Sequence, residues 1–248
     1  MSFIKGEPQI LKPVGAESLK QLWLMQLSDS ALPIGAMTHS FGIETLTAEG
    51  LLGVEQLEGF LRDYLSEAGA LESAFCRAAY RLAKVSGNSF ERDAWLTLNL
   101  QLSAFKPARE SRVSSAILGR RFLLLVSELT EWPLIEEALE AAKQAGIEIH
   151  HSTAFGLAGG ALELAEETTL LAYGHQVLAN LIYACQRLLP LGQSRASRIC
   201  WNLKPLLVEI AERSCAGEFD PDAVACHTPL VELGSMRHPT LATRLFIS

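Results

Sequence analysis

The sequence predicts an all-α protein: a single-domain bundle of roughly nine to eleven helices with a mobile C-terminal tail. Three observations lead there. Apolar residues recur with the i, i+3, i+4, i+7 period of a helix with one buried face through most of the 248 residues. Convincing alternating strands are missing; Ile147-Glu148-Ile149-His150 alternates but is too short. The chain is 49% hydrophobic, ample for a sizeable core.

The elements follow in order. Residues 1–16 contain Pro8, Pro13 and two glycines and read as a flexible N-terminal arm. Leu19, Leu22, Trp23 and Leu27 form the stripe of a first helix, and a short helix is expected from about Phe41 to Glu49, with Gly50 as a left-handed stop. Leu57, Phe60, Leu61, Tyr64 and Leu65 mark one long helix. Leu71, Phe75, Ala78, Ala79 and Leu82 mark the next, and Ser86-Gly87-Asn88-Ser89 ends it. Trp95, Leu98, Leu102 and Phe105 give another, closed by Lys106-Pro107. Arg109 begins a helix to about Glu131. Trp132-Pro133 begins the following one, since proline is tolerated in a first turn, and Gly146 ends it.

Residues 154–166 are rich in alanine and glycine (Gly156, Gly159, Gly160), a composition that lets another helix approach closely. Thr168 or Thr169 is the expected cap of a long helix to Leu189; Ser194 to Ser214 reads as another, with Pro205 inside it. From Ala216 onward Gly217, Pro221, Pro229, Gly234 and Pro239 punctuate the pattern, and only Asp222 to Cys226 reads as helical. The division is thus 1–16 arm, 17–215 helical domain, 216–248 docking tail. Leu241, Leu245, Phe246 and Ile247 in that tail want a surface. No period of 20–50 residues indicates a solenoid.

Charge and composition exclude several classes. Net charge is −7, without the clustered Lys and Arg that a phosphate backbone requires, so no nucleic-acid partner is expected. Five cysteines, an odd number without C-x-x-C spacing, favour free thiols in a reducing cytoplasm. The N-terminus does not read as a signal peptide, and the apolar window 170–191 carries His175, Gln176, Asn180, Gln186 and Arg187, which suits a buried helix rather than a membrane span.

Catalytic motifs are absent: no G-x-x-x-x-G-K-[ST], H-E-x-x-H or G-x-S-x-G. His150 and His151 are adjacent and cannot share one helix face. Cys215 and Cys226-His227 are the remaining metal-ligand types that could meet, a basis for transient nickel contact but not for a resident site. His39 beside Ser40 suggests a base and nucleophile, but capping or loop-locking is favoured. Arg109, Arg112, Arg120 and Arg121 are either arginine fingers for a GTPase or, as preferred, solvated and salt-bridged helix faces. A helical adaptor therefore stands ahead of a helical enzyme acting on a small apolar substrate.

The most informative stretch is residues 27–44. Leu32, Ile34, Met37, Phe41 and Ile43 want burial. Ser28, Asp29, Ser30, Thr38, His39 and Ser40 can bond backbone locally. Pro33 fixes φ, while Gly35 and Gly42 permit positive φ. The run LSDSALPIGAMTHSFGIET resembles the N-terminal signature of the urease accessory protein UreF family. Ala108-Arg109-Glu110-Ser111-Arg112, residues 151–156 (HSTAFG), residues 186–193 (QRLLPLGQ) and Arg244-Leu245-Phe246 resemble that family too, in its order.

The resemblance implies an all-helical, non-catalytic maturation factor that tends to dimerise. It would bind UreD (also called UreH), recruit the GTPase UreG and serve nickel delivery to apo-urease, with no cofactor of its own; a direct nickel carrier is the alternative. The candidate partner-binding residues are Pro33, Gly35, His39, Ser40, Phe41, Glu44, Arg109, Glu110, Arg112, Gln186, Arg187, Gln193, Arg244, Leu245 and Phe246. The tail, burying Leu245 and Phe246, is assigned to UreD, and the loop with Arg109–Arg112 to UreG or a second copy. Three positions depart from the family pattern. Met37-Thr38 replaces an aromatic or apolar residue followed by Ser, His238-Pro239 replaces His-Glu, and Ile247 stands where Arg is expected; the tail is therefore expected to dock differently or to meet an altered partner.

Overall fold

The computed structural model describes residues 15–85, 90–222, 226 and 228–248, and among these every regular element is helical. Eleven α-helical segments follow in order: α1 (Ala16–Leu27), α2 (Ile43–Ala48), α3 (Leu57–Tyr64), α4 (Ala70–Val85), α5 (Arg92–Ala104), α6 (Arg109–Leu129), α7 (Pro133–Ala145), α8 (His151–Ala161), α9 (Glu166–Leu188), α10 (Gln193–Ala216) and α11 (Pro229–Arg237). A π turn over Leu65–Gly69 joins α3 to α4, so the two expected stripes follow one another without a non-helical break. Short 3₁₀ turns cover Ala36–Thr38 and His238–Thr240.

The centre is α8, every residue of which is buried. Its small residues dictate the packing. A methyl group at Gly156 would collide with the carbonyl of Cys76, and one at Gly160 would lie 2.5 Å from the carbonyl oxygen of Tyr80, so α4 runs backbone-close to α8. α6 and α9 close the other sides, and the larger core forms here, with Phe75, Trp95, Phe122 and Leu157 fully buried. A second core joins α2, α3, α9 and α10 through Ile43, Leu46, Leu57, Leu61, Leu178, Leu203 and Ile210. The four residues 147–150 form no strand. Instead His150 is a buried node: its Nε2 lies 2.7 Å from Ser103 Oγ and its Nδ1 3.1 Å from Ser115 Oγ, while its backbone N–H donates to Asn99 Oδ1 at 3.0 Å.

Several sequence expectations need correction. α9 starts at Glu166, so Thr169 lies in its first turn; the Thr169 hydroxyl donates to the Ala165 carbonyl rather than capping. Most of the helix expected at 222–226, and nearly all of the arm expected at 1–16, lie outside the described residues. In place of a mobile tail, α11 and residues 238–248 pack onto the domain. The expectation failed because this packing uses small groups rather than a broad apolar stripe. A methyl at Gly42 would lie 2.5 Å from the Val231 carbonyl oxygen and one at Gly234 2.7 Å from that of Gly42, so α11 meets the head of α2 glycine to glycine. Pro229 occupies the first turn of α11, a helix-starting position that reads as a breaker in sequence.

Candidate functional site: a loop that clasps the tail

The loop between α1 and α2 is shaped by two left-handed glycines. Gly35 (φ 88°) admits Arg121 of α6, whose Nη1 donates to the Ile34 carbonyl at 3.2 Å and lies 2.7 Å from where a Cβ would stand. Phe41 (φ 50°) and Gly42 (φ 85°) turn the chain into α2, and a left-handed conformation is unusual for an aromatic residue. That turn sends Glu44 inward, 4% exposed.

Glu44 is the hub. Its Oε1 accepts the backbone N–H of Leu245 at 2.6 Å. Its Oε2 accepts that of Phe246 at 3.1 Å and lies 2.9 Å from His238 Nε2. The other ring nitrogen of His238, Nδ1, lies 2.8 Å from Glu110 Oε2. A fully buried imidazole thus stands between carboxylates of α2 and α6, one facing each ring nitrogen. Glu232 of α11 adds a bond from the Ala108 N–H at 2.8 Å, and Arg237 pairs with Glu49 at 3.0 Å.

The tail is fixed a second time upstream. Ser40 N–H donates to the Ser248 carbonyl at 2.5 Å and Ile247 N–H to that of Thr38 at 2.9 Å. Ser248 Oγ lies 2.7 Å from His39 Nδ1 and 2.5 Å from Ser114 Oγ. Burial, reinforced by the Arg121 charge, lowers the pKa of His39 to about 4, so it is a neutral hydrogen-bonding residue near pH 7. Phe246 is buried beneath Arg187, whose guanidinium carbon sits 4.6 Å from the ring centre. Leu245 and Ile247 alternate outward, 60% and 66% exposed.

Of the sequence-predicted residues, the structure brings together His39, Ser40, Glu44, Glu110, Arg187, Leu245 and Phe246. Phe41 lies at the turn itself. Pro33 and Gly35 lie in the part of the loop that meets Arg121. Arg109 is exposed, and Arg112 donates to the Lys106 carbonyl at 2.8 Å. Gln186 is half-buried, whereas Gln193, at the start of α10, and Arg244 are exposed. Sequence reasoning missed Ser114 and Ser248, and it named His238 only as the residue before a divergent proline, not as a site residue; a histidine directly before a proline carries no periodic signal. Pro239 sits exposed in the first turn of a 3₁₀ helix, where its missing N–H is not needed. Among the described residues no three His, Cys, Asp or Glu side chains are placed to hold a metal, and no helix is long and apolar enough to cross a membrane. His227, one of the ligand types considered for nickel, lies outside the described residues.

The class defined by fold and site is an all-helical protein that clasps its own C-terminal segment with a buried carboxylate. A model of the UreF family matches residues 52–204. The urease accessory protein UreF of Methylobacterium radiotolerans is 34% identical over 234 residues, covering 94% of this chain and 99% of that protein. The UreF protein of Nostoc sp. is 32% identical, covering 92% and 95%, and that of Geobacillus kaustophilus 28% identical, covering 92% and 97%. The chain belongs to the UreF family of urease accessory proteins.

Proposed function

We propose that this chain is a non-catalytic adaptor in urease maturation, which binds UreD (UreH) through α11 and the tail, recruits the GTPase UreG, and so serves nickel insertion into apo-urease. The observation that carries the reading is the outer face of α11. Leu230, Leu233 and Met236 are 44%, 53% and 48% exposed, while Val231, Gly234 and Ser235 are buried against the domain. A short helix that is apolar on both sides is expected to be covered. Leu245 and Ile247, pointing outward from the clasped tail, extend the apolar character. The assignment to UreD therefore shifts from Phe246, which serves the chain's own fold, to Leu245, Ile247 and α11. The exposed Arg109 and the signature loop remain the face offered to UreG or to a second copy in a homodimer. Five free cysteines accord with a cytoplasmic setting.

Co-purification with UreD and UreG, with mass read by light scattering, tests this reading. A defined complex of the three is expected. Failure of the folded chain to bind UreD would overturn it.

A further inference from the structure

The outer face of α10 carries an apolar stripe. The inner face of the helix is its buried line, which includes Ile199, Leu203, Leu207 and Ile210. On the opposite side, at helical spacing, Trp201 is 70% exposed, Pro205 is exposed and Val208 is 38% exposed. The Lys204 ammonium lies 4.5 Å from the centre of the Trp201 ring system. Tryptophan is the kind of side chain that anchors protein interfaces, and this one is spent on no packing within the chain.

Charge along the helix runs from positive to negative. Arg195, Arg198 and Lys204 precede Pro205; Glu209 and Glu212 follow it, with Arg213 beyond. Several of these have partners within the chain: Arg195 pairs with Glu55 at 2.8 Å, and Arg213 with Glu209 at 3.3 Å and Glu218 at 2.7 Å. Arg198 and Glu212 are exposed and make no hydrogen bond or ion pair among the described residues. They stand at equal distances before and after Pro205, about two turns each. An unpaired cation at one end, an unpaired anion at the other and an apolar stripe between them form a self-complementary pattern. A second α10 laid antiparallel across the first, about a two-fold axis at Pro205, sets Arg198 of each copy against Glu212 of the other. The same rotation brings Trp201 of each copy onto Pro205 and Val208 of the other. Antiparallel packing also places the two helix dipoles in opposition. An unrelated partner would need no such symmetry.

We propose that the outer face of α10 is the surface through which two copies of this chain pair, with Trp201 as the apolar anchor and Arg198–Glu212 as two symmetric ion pairs. The proposal rests on the homodimer of the adaptor reading and assigns its face, leaving the signature loop and Arg109 to UreG. One helix pair buries less than the roughly 800 Å² per partner of a standard interface, so the dimer is expected to depend on concentration.

Sedimentation of the full chain over a concentration series tests it. Mass should rise from 27.0 kDa toward twice that value, and Trp201→Glu should keep it at the monomer value. Arg198→Glu and Glu212→Arg should each weaken pairing at least roughly tenfold, since each sets like charges together. An equimolar mixture of these two variants should dimerise again, because both cross-pairs are then of opposite sign. A chain that stays monomeric throughout, a dimer that survives Trp201→Glu, or a mixture that fails to pair would each overturn the proposal. All three side chains are exposed, and circular dichroism confirms that each variant is folded. Binding of UreD by the Trp201→Glu chain, measured alongside, should be unchanged; loss of UreD binding by the unaltered chain would instead count against the adaptor reading.

Discussion

Glu44 and His238, 194 residues apart, lie 2.9 Å from each other in a site from which solvent is almost excluded. The contact joins the first turn of α2 to the 3₁₀ turn that follows α11. Breaking a buried pair from one side leaves an uncompensated polar or charged group, at a cost of about 3–5 kcal/mol. Glu44→Ala and His238→Ala should each destabilise by an amount in that range in urea unfolding. The double variant should cost less than the sum, because it removes both orphans at once. Additive losses would show that the two residues do not act as a pair.

The two positive-φ glycines that flank α2 should respond differently. Gly42→Ala forces an unfavourable φ and drives a methyl into the Val231 carbonyl, so it should displace α11 and cost well over 2 kcal/mol. Gly50→Ala meets open space at φ 71° and should cost only about 1 kcal/mol. Thermal melts of the two variants, with intact protein as reference, make the comparison.

Phe246→Ala should loosen the tail. Emptying a buried aromatic site costs about 3–5 kcal/mol when the loss is felt globally. Here the nearest consequence is local: the amides of Leu245, Phe246 and Ile247 should lose hydrogen-exchange protection before α8 or α9 does. Arg187→Ala removes the cation above the ring and should produce the same pattern more weakly, about 0.5–1 kcal/mol.

Acid should weaken the fold through three histidines. Burial, as the first cause, lowers His39 and His151 to about 4 and His150 to about 3. The unfolded chain binds protons at these positions from about pH 6.5 downward, whereas the folded chain does not. Their contribution is therefore fully present above pH 6.5 and is lost progressively as the pH falls toward 4 and below. Urea unfolding at pH 7.5, 5.5 and 4.5 should show this decline. A His150→Asn chain should show a shallower one.

How much of this was legible in the sequence depended on what held each element. The stripes Leu57-Phe60-Leu61-Tyr64 and Trp95-Leu98-Leu102 announce helices because large apolar side chains supply the burial. The glycines of α8 announced a close approach, and Gly156 against Cys76 makes it. α11 and the tail were not legible. Their attachment rests on Gly42 against Gly234, one buried phenylalanine and hydrogen bonds to Glu44, none of which has a period. The signature loop carried His39, Ser40 and Glu44 into view. What it could not show was that their partners lie at residues 238–248, because pairing across some 200 residues is decided by the packing of everything between.

The most direct test of the adaptor reading is the affinity of this chain for UreD when the outward residues alone are changed. Leu245→Ser with Ile247→Ser leaves the clasp intact, since Glu44 binds backbone N–H groups at 245 and 246. An apolar contact surface at these residues predicts binding at least roughly tenfold weaker, with unfolding stability unchanged. Unaltered affinity for UreD would contradict it and place the docking face elsewhere on the molecule.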